Sequence, residues 1–268
     1  MYSIDLTGKT GLVMGVANQR SLAWAIAQPL AQAGARLAFS YQAERLRPAL
    51  DKLTEDLKDP LLLECDVGDD AALDRMFAAV GEEFGKLDYL VHALAFAPAN
   101  TFSNPFVETS RQDWQTAMDV SAYSLVASTK RAAELMGPGG SVVTLSYLAA
   151  ERVVPHYNMM GVAKAALEAS VRYLGYDLGP RGIRVNAISA GAVRTIAARS
   201  IAGFGDLYTQ AGEMSMLKRN ITHEEVGGLG LSLLVEQLGG GITGETVYVD
   251  AGFHAIGLFV PPNLQDQY

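Results

Sequence analysis

Short, compact apolar runs alternate with longer stretches of mixed polarity along almost the whole chain. Thr10–Val16, Arg36–Tyr41, Leu61–Cys65, Leu87–His92, Ser141–Ser146, Arg184–Ser189 and Thr246–Val249 are apolar and often β-branched, with turn residues or helical patterns on either side. Each predicts a buried strand. Between them, amphipathic spacing predicts helices near 22–33, 43–57, 70–84, 110–136, 157–178 and 223–238. Continuous apolar strands have both faces covered, and the intervening helices supply the cover. The pattern therefore predicts an α/β fold: a doubly wound, seven-stranded parallel sheet with helices on both faces. No Pro/Ser-rich linker, internal repeat or low-complexity segment interrupts residues 1–268, so a single domain is expected.

Several boundaries have a local cause. Thr222 followed by Glu225 has capping-box spacing ahead of an apolar helix. Gly34 can close the first helix, and Gly179-Pro180 can stop the helix that begins near 157. Gly239–Gly241 reads as a plain turn. Pro29 falls inside the first helical pattern, where a missing N–H costs about 3 kcal/mol if fully interior, and it predicts a kink or a loosened turn.

Composition narrows the class. At 268 residues the length alone suggests about two domains, a prior that the unbroken alternation overrides. A hydrophobic content of 49% argues against disorder, and a net charge of −8 disfavours nucleic acid, whose phosphates are met by Lys and Arg. One cysteine, Cys65, cannot form an internal disulfide or a multi-Cys metal site, and the four scattered histidines lack ligand spacing. No apolar run approaches the ~20 residues that span a bilayer, and Met1–Lys9 lacks a signal peptide's apolar core. A cytoplasmic, globular protein with no membrane and no nucleic-acid partner is expected.

Candidate chemistry falls at strand ends. Gly15-Val16-Ala17-Asn18-Gln19-Arg20-Ser21-Leu22 joins the first strand to the first helix, where backbone N–H groups and a helix N-terminus can receive a pyrophosphate. The usual three-glycine fingerprint is incomplete, since Ala17 and Ser21 stand where glycines are expected, and a plain strand-to-helix turn is the competing reading. Asp66-Val67 ends the third strand, where a carboxylate can accept the adenine amino group; Asp66 and Asp69 can equally cap the next helix. Gln42 follows the second strand at the ribose position, and its neutrality favours NADH over NADPH. Tyr157 and Lys164 are seven residues apart, about two helical turns, so both leave one helix face. A neighbouring ammonium lowers a phenol's pKa and suits it to proton donation or oxyanion stabilisation. The alternative is an ordinary helix with an exposed lysine.

Taken together, Gly15–Leu22, Tyr41-Gln42, Cys65-Asp66-Val67, Val91–Ala97, Leu145–Leu148, Tyr157…Lys164 and Arg184–Gly191 resemble the bacterial enoyl-acyl-carrier-protein reductases. That family is the divergent branch of the short-chain dehydrogenases/reductases, with a Rossmann-type fold. The resemblance runs from the first strand to Asp250-Ala251-Gly252-Phe253, and its six-residue Tyr-to-Lys gap separates this branch from members with a three-residue gap. It implies reduction of a trans-2-enoyl thioester by NADH, with Tyr157 on the thioester oxygen, Lys164 on the nicotinamide ribose and Tyr147 lining the acyl site. Ser146 is the rival to Tyr147. Gly15, Ser21, Leu22, Gln42, Asp66, Val67, Leu94 and Lys164 carry over as cofactor contacts, as do Val193, Arg194, Thr195, Ile196 and Ala197; Ala97 would touch substrate.

Residues 195–216 place Ile196, Ile201, Phe204, Leu207, Met214 and Met216 among glycines, which suits a lid over a fatty chain or else a surface helix packing inward. Met159, Met160 and Phe96 could complete an apolar pocket. The implied partners are acyl carrier protein and further copies of the chain in a homotetramer, with Ala255–Pro262, including Phe259, as an interface stretch. The chain departs from its relatives at Ala202, Gly205 and Asp206, where basic residues are common, so that carrier docking falls to Arg199, Lys218 or Arg219. It also departs at Ala192, where proline is common. A ketoacyl reductase and a non-catalytic dinucleotide sensor are the competing functions.

Overall fold

The computed structural model describes residues 3–195 and 203–258. Among these, seven strands form one parallel sheet: β1 (Thr10–Met14), β2 (Arg36–Tyr41), β3 (Leu61–Glu64), β4 (Tyr89–His92), β5 (Ser141–Ser146), β6 (Arg184–Ala190) and β7 (Thr246–Val249). Their spatial order is β3-β2-β1-β4-β5-β6-β7, so the chain reverses direction of travel between β1 and β4. A crevice opens at such a switch point, beyond the carboxyl ends of the strands.

The period of two along each strand splits the core. Val13, Leu37, Phe39, Val91, Val143 and Ile188 face α1 (Leu22–Gln32) and a C-terminal helix that carries Val226 and Leu233. Their neighbours Leu12, Met14, Ala38, Leu90, Val142 and Val185 face the other layer, with Leu73, Phe77, Leu125, Leu167 and Val171. That layer contains α3 (Asp70–Phe84), α5 (Ser124–Leu135) and α6 (Asn158–Leu178). α2 (Arg47–Thr54) follows a single 3-10 turn at Glu44–Leu46, so the expected helix over 43–57 is shorter and starts tighter.

The stretch expected as one helix over 110–136 is α4 (Arg111–Met118), a π turn at Asp119–Tyr123 and then α5. The extra residue in the π turn sends Ser121 inward, where its hydroxyl donates to the Phe96 carbonyl at 2.8 Å and accepts from the Phe96 N–H at 2.8 Å. The helix thereby clamps the loop after β4. After α7 (Phe204–Met214) come α8 (His223–Leu234) and the short α9 (Glu236–Gly239). Thr222 and Glu225 complete the capping box at the start of α8.

Pro29 produces no break: α1 is continuous through it. A proline cannot return an N–H to the carbonyl four residues earlier, that of Ala25. Against that carbonyl lies Gly227 of α8, so closely that a Cβ there would stand 2.2 Å from the oxygen. Gly230, one turn on, gives room to the Ile26 side chain, which a Cβ there would meet at 2.7 Å. The two helices approach through these glycines, and a Cα–H of Gly227 covers the carbonyl that Pro29 leaves without a helical donor.

Candidate active site

Four loops converge at the crevice, each leaving the carboxyl end of a strand: 15–21 after β1, 93–97 after β4, 147–157 after β5 and 191–195 after β6. In the first, Gly15 has φ +98°, and a Cβ on it would lie 2.2 Å from the Ala93 carbonyl oxygen. Only glycine fits there, which brings the turn against the β4 loop. Ser21 is the N-cap residue of α1, yet its side chain does not cap the helix. Its Oγ accepts from the N–H groups of Ala17 (3.0 Å) and Asn18 (3.1 Å), leaving the hydroxyl hydrogen free to donate outward. His223 of α8 braces the same turn, Nε2 lying 3.0 Å from the Arg20 carbonyl.

Farther along the sheet edge, Gln42 and Asp66 are exposed just beyond β2 and β3, with Val67 half-buried. Of the two carboxylates considered as caps, Asp69 accepts from Ala71 N at the start of α3, whereas Asp66 accepts only from Gly68 N at 3.0 Å and stays exposed. The capping alternative therefore belongs to Asp69.

At the other end of the crevice stands the tyrosine–lysine shelf. Tyr157 is the N-cap residue of α6 and not part of its first turn. Its neighbours His156 and Asn158 have φ of +65° and +39°, and the Asn158 side chain donates to the carbonyls of Thr101 and Asn104 at 3.0 Å each. Loop contacts thus aim Tyr157, and helical spacing alone does not. Its ring meets Tyr147 edge-on at 5.0 Å and Phe102 at 6.5 Å between centroids. Burial, then the adjoining Tyr147, push the Tyr157 phenol up from its ordinary value, so the lowering expected from Lys164 is overturned. Lys164 is buried, with Nζ donating to the carbonyls of Leu145 (2.7 Å) and Leu94 (3.5 Å). Desolvation brings its pKa down to about 8, and Glu168 opposes that shift.

Ser146, the rival to Tyr147, is committed elsewhere: its Oγ donates to Glu168 Oε1 at 2.5 Å. Both residues line the cleft, but the Ser146 hydroxyl is taken, whereas Tyr147 sets its ring against Tyr157 there. The cleft has a volume of about 480 Å³ and is lined by Ala97, Tyr147, Tyr157, Leu22, Val193 and Thr195, among others. Phe96, Met160, Leu207 and Ala192 line it too, and the structure adds Phe102 and Val154, which sequence patterning did not single out. Met159 lies fully buried beneath, against Ala97 and Ala163. Arg194 leaves the cleft and stacks its guanidinium 4.5 Å over the Tyr208 ring of α7, tying the β6 loop to that helix. Ile196, Ala197, Arg199, Ile201, Ala202 and Phe259 lie outside the described residues. Glu168 was also missed; its place four residues after Lys164, on the same apolar face, was the available signal.

The cradle at Gly15 and the outward hydroxyl of Ser21 fit a dinucleotide pyrophosphate, with Asp66 and Gln42 along the edge for the adenosine half and Lys164 for the other ribose. Among the described residues no group of His, Cys, Asp and Glu could hold a metal ion, and no helix is long and apolar enough to cross a membrane.

A model of the enoyl-(acyl carrier protein) reductase family matches residues 15–254, which takes in all four loops. An enoyl-[acyl-carrier-protein] reductase [NADH] of Rhizobium meliloti is 47% identical over 253 residues, 94% of this chain and 93% of its own length. One from Bacillus cereus is 46% identical over 254 residues, 94% of this chain and 99% of its own. The crystal structure of the Anaplasma phagocytophilum enoyl-(acyl-carrier-protein) reductase in complex with NAD superposes with a TM-score of 0.92 at 47% identity, covering 97% of this chain and 99% of that one. Family model, identity and superposition along nearly the full length agree, and this chain belongs to the enoyl-(acyl carrier protein) reductase family.

Proposed function

We propose that this protein reduces the trans-2 double bond of enoyl thioesters carried on acyl carrier protein, with NADH as reductant, as the last step of the fatty acid elongation cycle. The observation that carries the reading is the pair Tyr147 and Tyr157, in edge contact at an apolar cleft, with Lys164, on the helix that Tyr157 caps, buried and donating to the carbonyls of Leu94 and Leu145. When bound, the dinucleotide supplies a hydride to the β-carbon of the substrate. Tyr157, kept neutral by burial, donates a hydrogen bond to the thioester oxygen as negative charge develops there, and the enolate then takes a proton at its α-carbon to complete the reduction. Lys164 holds ribose hydroxyls through Nζ and adds positive charge to the same region. Tyr147 and Ala97 line the acyl site. Gly15, Ser21, Leu22, Gln42, Asp66, Val67, Leu94, Val193, Arg194 and Thr195 contact the cofactor, as do Ile196 and Ala197.

Residues 195–216 act as the lid, a role supported by Leu207, which already lines the cleft from α7. Carrier docking falls to positive side chains near this lid; Lys218 and Arg219 are exposed there, although Arg219 is paired with Glu225. The reading carries with it a cytoplasmic location and a homotetramer. Assembly is supported by an open groove of about 670 Å³ between α4, α5 and α6, where Trp114 and Tyr123 are exposed.

Purified protein should consume NADH in the presence of an enoyl thioester. Consumption with a ketoacyl thioester and none with several enoyl thioesters would assign the carbonyl-reducing alternative. NADH binding without turnover of either would assign the sensor.

A further inference from the structure

Glu168 sits on α6 one turn beyond Lys164 and is only 6% exposed. Leaving water costs a carboxylate several kcal/mol unless hydrogen bonds and opposite charge compensate. Its hydrogen bond comes from Ser146, the last residue of β5. The preceding residue, Leu145, supplies the carbonyl that receives Lys164 Nζ. Two residues one turn apart on α6 therefore grip two adjacent residues of β5, and the next residue in the chain is Tyr147 of the cleft. A neutral glutamine could make the same clamp. The negative charge has another partner.

That partner follows from what surrounds the lysine. Lys164 donates to two carbonyls, and its charge acts on His92 of β4. His92 bears no compensating charge: burial and Lys164 hold its pKa down to about 3, and its ring nitrogens lie 3.0 Å from Thr144 Oγ1 and 2.9 Å from Ser124 Oγ. The charge acting on Lys164 against desolvation is Glu168. Around Glu168 itself stand Ser146 of β5, Glu151 of the following turn, Arg172 of α6 and Tyr248 of β7, whose ring stacks on His254 and lies near Asp250.

We infer that Glu168 is a positioning residue of the proposed reduction: it fixes the end of β5 through Ser146 and supplies the countercharge that keeps Lys164 an ammonium. The inference rests on the proposed reading for its link to turnover, but not for its link to Lys164. Desolvation favours the neutral amine, and the carboxylate restores the charged form that both ribose binding and enolate stabilisation need. In the neutral pH range the protein then works near the upper edge of the lysine's protonated state.

The test compares wild type with Glu168→Gln, which preserves shape and hydrogen bonding, measuring both kcat/KM for NADH-dependent enoyl reduction and the NADH dissociation constant from pH 6 to 10. Wild type should lose activity and NADH affinity through a limb near pH 8, the value to which burial brings Lys164. In Glu168→Gln both limbs should move down by about one pH unit, making kcat/KM roughly fivefold lower at pH 8 and approaching roughly tenfold lower by pH 9–10, while pH 6 changes much less. Glu168→Asp should restore the limb in part. Ser146→Ala, which keeps the charge and breaks the clamp, should lower kcat several-fold with the limb in place. Unshifted limbs in Glu168→Gln, whether or not its melting temperature falls, would overturn the inference and leave a packing residue. If wild type binds NADH and turns over no enoyl thioester, the functional reading fails while the binding limbs still decide the role of Glu168.

Discussion

At the β1–α1 turn the crevice is shaped by backbone: Gly15 lies flush against the Ala93 carbonyl, the Ala17 and Asn18 N–H groups converge on one serine oxygen, and a histidine braces the Arg20 carbonyl. Across the crevice, at β5–α6, it is shaped by side chains: Tyr147 against Tyr157, Lys164 on two carbonyls and Glu168 on Ser146. The first region tolerates varied side chains but no Cβ at one position. The second tolerates little change of residue type, because its geometry and its charges are the same atoms. A backbone cradle suits binding a ligand that stays the same through the cycle, whereas a shelf of titratable groups suits a centre where charge appears and disappears.

The largest effect should come from the shelf. Tyr157→Phe should lower kcat by about 10²–10³, the usual loss for one oxyanion donor, with the NADH dissociation constant changed less than about twofold. Stopped-flow turnover and fluorescence titration read the two separately, and a parallel loss of NADH affinity would erase the division of labour between the regions. Next, Gly15→Ala should cost roughly 2–4 kcal/mol of stability, from a positive φ and a Cβ driven onto a carbonyl. Thermal unfolding should show it together with weakened NADH binding. A stable variant that binds NADH normally would mean the turn can retreat from β4. The smallest effect belongs to Ser21→Ala, which frees two N–H groups at the cost of one hydroxyl. NADH affinity should fall by about 1 kcal/mol, roughly fivefold, with kcat held. A fall in kcat instead would place Ser21 on the chemical side of the comparison.

The same contrast explains what the amino-acid sequence made legible. β2, β5 and β7 match their expected ranges because apolar runs and turn residues are local signals, while β1 ends two residues early, where the chain already bends toward the cleft, and β4 starts two residues late, at the opposite edge of the sheet. The shelf was readable from Tyr157 and Lys164, since side-chain chemistry is written in residue type. Its aim was not: the positive φ of His156 and Asn158 is held by contacts to 101 and 104, far off in the chain. The cradle gave a weaker signal because Ala17 and Asn18 act through N–H groups that every such residue has. The π turn at 119–123 was hidden for a related reason, as one extra residue barely disturbs amphipathic spacing, and what stabilises it, Ser121 on Phe96, is tertiary.

The fit of Gly227 against the carbonyl opposite Pro29 bears on how the chain acquires its shape during synthesis. The hydrogen bond from His223 to Arg20 spans 203 residues, so the first helix waits for its covering partner. At ribosomal rates of about 5–20 residues per second, that delay is roughly 10–40 s. Throughout it, the apolar flank of α1, with Trp24, Ile26 and Leu30, has no α8 to lie against. The nascent protein thus leaves this flank of its nucleotide-binding half open to chaperones and to neighbouring chains until residues 223–234 have emerged, and the glycine-for-proline match that makes the finished helix pair so close is among the late pieces of that half to arrive.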